Sequence, residues 1–101
     1  MSTKKKMERL TDGEKQQVTT VFQPLLSNTF GGTNYKKFYL DDAKHIITSH
    51  VDAEVKRHKF NSKVVRKCNE TRFGVTRATS MEKVLELLSE ACLLEEVLEE
   101  N

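Results

Sequence analysis

The chain has 101 residues, enough for one domain with a small core. Apolar residues make up 37% and charged residues 32%, a soluble composition, and a net charge of +2 does not by itself imply nucleic acid or an anionic membrane. No stretch approaches the ~20 apolar residues of a membrane span, and "MSTKKKMERL" lacks the apolar centre of a signal peptide, so an intracellular, cytoplasmic protein with reduced thiols at Cys68 and Cys92 is expected.

Residues 1–10 read as a disordered basic tail carrying Lys4, Lys5, Lys6 and Arg9, and residues 11–101 as a single small domain. "TDGE" at 11–14 has the capping-box pattern and opens a helix predicted to run to about residue 30. Val18, Phe22, Leu25 and Leu26 share one side of it, and Pro24 either kinks it or marks the start of a second piece. Gly31 and Gly32 then supply a turn. A second helix is predicted over 39–58, with Asp41 and Asp42 at its positive end and a narrow stripe of Leu40, Ala43, Ile47, Val51 and Val55. The two helices are expected to pack as an antiparallel pair.

Residues 60–78 lose the helical period. Val64, Val65, Thr71, Phe73, Val75 and Thr76 favour a strand or irregular extended segment, with a short helix over 62–70 as the alternative. "TSME" at 79–82 reads as a second capping box leading an acidic helix to about residue 99, its stripe formed by Val84, Leu87, Leu88, Ala91, Leu94 and Leu98. The expected fold class is therefore α+β: an antiparallel helix pair, a short extended basic segment and a C-terminal acidic amphipathic helix.

The charges are polarised along the chain. Lys56, Arg57, Lys59, Lys63, Arg66, Lys67, Arg72 and Arg77 crowd the middle against Glu70, while Glu82, Glu86, Glu90, Glu95, Glu96, Glu99 and Glu100 dominate the end. The expected role of the basic run is to neutralise the terminal helix, internally or across a dimer. Its alternative is a nucleic-acid surface, with Lys56, Arg57, Lys59, Lys63, Arg66, Lys67 and Arg72 along phosphates and Phe60 and Phe73 stacking on bases. Aromatic content of 7% and the absence of a nucleic-acid fingerprint weigh against that alternative.

Other chemistry finds little support. His45 and His50 are five apart and do not share a helix face, and no CxxC or HxxxH spacing occurs, so no metal or cofactor is predicted. Cys92 lies in an apolar stripe that would blunt it as a nucleophile. Cys68 has cationic neighbours that favour a thiolate, but no general base accompanies it. No enzyme is expected.

From Val18 to Phe60 the chain resembles the N-terminal helix pair of Tctex-type (Tctex1-domain) dynein light chains. The likeness rests on "VTTVFQPLLSNTF", a short polar turn ending at Tyr35, and "LDDAKHIITSHVDAEVKRHKF", followed by "SKVVRKC" as a loose match to the family's next strand. The C-terminal half departs from the family, with no Trp and an acidic helix in place of the closing strands. The resemblance implies an adaptor subunit of a microtubule motor, cytoskeletal or ciliary, in a homo- or heterodimer. Its implied partners are a dynein intermediate chain or another light chain. Binding would bury a partner segment against a sheet edge or apolar groove near Val64, Val65 and Phe73, beside Leu94 and Leu98.

Overall fold

The structure, a computed structural model, describes residues 10–92. Helix α1 (Asp12–Pro24) opens on the expected capping box: the Glu14 amide donates to Thr11 Oγ1 at 3.2 Å, and the Thr11 amide donates to Glu14 Oε1 at 2.8 Å. Pro24 ends its regular part, because a proline nitrogen has no hydrogen to donate to the preceding turn. The chain continues as a wider π-helical turn, Leu25–Thr29, closed by the Phe30 amide donating to Leu25 O at 2.9 Å. At the break, the Leu25 amide donates to Phe22 O, and His50 Nε2 lies 2.7 Å from Val21 O. In its Nε2–H form the imidazole donates to that oxygen.

Gly31 and Gly32 have distinct tasks in the turn. A Cβ on Gly31 would stand 2.1 Å from the Ser27 carbonyl oxygen, and Gly32 has φ +62°, where side chains are strained. A 3-10 turn, Asn34–Lys37, carries the chain onward, and the Phe30 and Phe38 rings meet edge-on at 4.9 Å.

Helix α2 (Leu40–His58) has Asp41 and Asp42 in its first turn and Lys56, Arg57 and His58 in its last, so both ends suit the helix dipole. It closes at Lys59 with φ 52°, the left-handed conformation usually taken by glycine. Helix α3 (Ser62–Arg77) follows at once, capped by Asn61 Oδ1, which accepts from the Val64 amide at 3.0 Å. Helix α4 (Met81–Cys92) starts after Ser80, whose Oγ accepts from the Lys83 amide at 3.2 Å. Ser80 therefore caps α4 one residue later than the Thr79–Glu82 box would.

The α+β expectation is overturned: among the described residues there is no strand, and the basic middle is a full helix. Its buried residues Val64, Cys68, Thr71 and Val75 recur at three or four positions, a helical stripe in which Cys and Thr stand in for larger apolar side chains. The Tctex resemblance falls with it, because that family builds its helices onto a sheet. The expected α1–α2 pair is also not the main packing. Helix α2 runs antiparallel to α3, tied by Lys44 Nζ donating to Thr76 O at 2.9 Å and by Arg72 and Asp52 at 3.7 Å. Helix α1 lies mainly against α4 and α3, with slighter contact to α2. Asn61 Nδ2 donates to Glu14 Oε2 at 2.7 Å, joining the start of α3 to the start of α1.

The four helices share one core, centred on Val18, Val21, Phe22, Phe30, Ile47, Val51, Val64, Cys68, Val75, Val84 and Leu88, and reached at its edge by Leu10. Each large apolar side chain buried there contributes about 1.5–3 kcal/mol. Gly74 keeps α3 close to α4, since a Cβ there would stand 3.2 Å from Leu87 Cδ1. Among the described residues no helix is long and apolar enough to cross a membrane.

Candidate partner-binding groove

An α3 that buries Val64, Cys68, Thr71 and Val75 must turn Ser62, Val65, Arg66, Asn69 and Phe73 outward, because these sit on the other side of the helix. With Phe60 and Glu70 they line an open groove of about 670 Å³. Phe60, Val65 and Phe73 form its apolar floor. Phe73 is 53% exposed and, with Tyr39, is one of two large apolar side chains left open to solvent among the described residues. From Ser62 to Phe73 the groove follows α3 for roughly 17 Å, by the 1.5 Å rise per residue.

Both aromatic rings are held from one side. The Arg72 guanidinium lies 5.2 Å from the Phe73 ring centre, and Arg72 also meets Asp52 of α2. The His58 ring stacks on Phe60 at 5.2 Å with 19° between planes. His58 Nε2 is 3.0 Å from Glu54 Oε1, and Arg57 pairs with the other oxygen of the same buried carboxylate. Phe60 also walls a second crevice of about 490 Å³, shared with Gln17, Thr20, His58, Lys59 and Asn61.

The residues expected to bind a partner separate here. Val65 and Phe73 face the groove, whereas Val64 is wholly buried in the core. Leu94 and Leu98 lie outside the described residues, as does the part of the expected acidic helix beyond Cys92. No sheet edge exists among the described residues for strand addition. The partner-site reading missed Phe60, the third apolar side chain of the groove, along with the polar Ser62, Arg66, Asn69 and Glu70; the signal for Phe60 was an aromatic side chain just ahead of the Asn61 cap.

The basic run is answered in part by its own neighbours. Arg57 pairs with Glu54, Lys67 with Glu70 at 3.8 Å, and Arg72 with Asp52, so these acids on α2 and α3 meet charges expected to neutralise the terminal helix. Lys56, Lys59 and Lys63 are exposed near the start of α3, and the Glu14 carboxyl is held below its usual range by the Thr11 amide first, then by Asn61, with a smaller effect of Lys63.

The cysteines offer no nucleophile. Burial pushes the Cys68 thiol up to about 11, outweighing the opposing effect of Lys67, and burial raises the Cys92 thiol as well. The cationic neighbours that favoured a Cys68 thiolate are thus the weaker influence. His50 is engaged at Val21 O and His58 at Glu54, and among the described residues no three His, Cys, Asp or Glu side chains gather in a way that could hold a metal ion. No protein-family model, curated protein or solved structure matches the chain.

Proposed function

We propose that this protein is a non-catalytic interaction module that binds a segment of a partner protein in the groove along α3. The carrying observation is the half-exposed Phe73 on a floor shared with Val65 and Phe60. A soluble domain seldom leaves a large aromatic open beside other apolar side chains unless a contact covers it. A groove along a helix suits an amphipathic helix, which fills it with side chains spaced three and four apart.

Nucleic acid fits the same face less well. Phe60 and Phe73 each have one ring face occupied already, Glu70 stands in the groove, and Arg57, Lys67 and Arg72 are engaged with carboxylates.

The test is a selection of peptides on the folded protein, followed by amide chemical-shift mapping with the selected sequences. Shifts centred on Ser62, Val65, Asn69 and Phe73, abolished by Phe73→Asp while the helical circular dichroism persists, support the module. Selected peptides that shift only residues elsewhere, or that bind Phe73→Asp as well as the parent, overturn it.

A further inference from the structure

Phe60 stands between two openings, the groove along α3 and the crevice it shares with Gln17, Thr20, His58, Lys59 and Asn61. It belongs to the three-residue link between α2 and α3, outside both helical ladders. The His58 imidazole backs its ring, stacked at 5.2 Å with 19° between planes. That imidazole is itself anchored, with Nε2 3.0 Å from Glu54 Oε1. Glu54 is only 8% exposed, and Arg57 holds its other oxygen. A chain of contacts thus runs from a buried carboxylate, through one imidazole, to the floor of the groove.

An imidazole is the side chain that changes charge within the physiological pH range, so it is the variable member of this chain of contacts. Protonated, it donates a charge-assisted hydrogen bond to Glu54. Neutral, it donates from Nε2 in one tautomer only, and without the charge. Around it lie the exposed cations Arg57 and Lys59. On α1, Gln17 and Thr20 are uncharged, and the Asn61 amide of the link is turned to Glu14. Glu54 is therefore the carboxylate that meets the imidazole.

We propose that His58 is a pH-sensitive clamp on the groove: protonated, it is drawn to Glu54, fixes the Phe60 ring in the groove floor and strengthens partner binding as pH falls. This inference rests on the interaction-module reading and adds its regulation. His58 acts as a positioning residue, through Phe60. With the imidazole neutral, a partner has to order the Phe60 ring as it binds, and that ordering lowers affinity.

Nuclear magnetic resonance of the protein alone reads the clamp without a partner. Between about pH 8 and about pH 5.5 the Phe60 ring protons should move in step with the His58 imidazole protons. A His58 signal that titrates while Phe60 stays still overturns the clamp, as does a Phe60 response that survives in His58→Gln. For binding, a selected groove peptide without His, Asp or Glu is titrated over the same range. Its affinity should rise about threefold in the parent as pH falls and stay flat in His58→Gln. Glu54→Gln should flatten it as well; the His58 side chain is 44% exposed, so His58→Gln carries the test if the buried Glu54→Gln fails to fold. An equal rise in His58→Gln assigns the effect to another group, such as His45 or His50, and overturns the proposal. Coupled Phe60 and His58 signals with a flat parent affinity overturn the regulation alone, whereas no peptide binding at any pH overturns the module reading with it.

Discussion

Lys59 occupies a left-handed backbone position that a Cβ makes unfavourable, whereas the turn after α1 places glycine where a side chain cannot go. Lys59→Gly should stabilise the protein by up to about 1 kcal/mol by relieving that strain. Gly31→Ala should have the opposite sign, about 1–3 kcal/mol destabilising, because its Cβ would meet a backbone carbonyl that cannot rotate away. Urea midpoints of the two variants check both signs. Cys68 belongs at this scale too. With its thiol raised from 9.0 to about 11, the folded state keeps a proton that the unfolded state releases over that interval. Stability from this group is full below 9.0 and is lost as pH rises toward about 11. Near neutral pH a thiol reagent such as Ellman's should modify Cys68 only on unfolding; rapid modification of the native protein would contradict its burial.

At the scale of the element, helix ends were easier to read than helix interiors. The Thr11–Glu14 box is local in sequence and formed as expected. Hydrogen bonds from the Thr11 amide, the largest cause, and from Asn61 hold the Glu14 carboxyl below its ordinary value of 4.5. The stabilisation from a lowered carboxyl is complete above 4.5 and disappears as pH falls through the lower folded value. Glu14→Gln should therefore reduce stability near neutrality and flatten the loss on acidification, measured by urea melts on either side of that window. Equal acid sensitivity in parent and variant would mean that Glu14 is not involved. Helix α3 was misread because β-branched Val64, Val65, Thr71, Val75 and Thr76, with Phe73, carry strand propensity. That propensity is worth less than burying the stripe through Val64, Cys68, Thr71 and Val75, which only the helix places on one face. The Asn61 cap was the overlooked signal.

On the scale of the whole molecule, neighbouring valines have separate consequences. Val64 lies in the core that all four helices share, while Val65 lines the groove. Val64→Ala should lower the stability of the entire domain by about 2 kcal/mol in a single transition. Val65→Ala should leave the melt nearly unchanged and weaken peptide binding. Calorimetry and a binding titration on both variants read the contrast; equal destabilisation would place both valines in the core.

Local chemistry determined much of this protein from sequence alone: the capping box, the break at Pro24, the Gly31–Gly32 turn, and the span and apolar stripe of α2. Each depends on residues within a few positions of one another, so the pattern is written directly in the chain. The helical state of 62–77, the preference of α1 for α4 and α3 over α2, and the division of Val64 from Val65 and Phe73 were decided by tertiary packing. Those outcomes depend on which faces become buried together, a property of the assembled helices that no single segment carries. The groove belongs to the same class: its floor joins Phe60, ahead of α3, to Phe73 near the helix end, and only the fold turns both toward one surface.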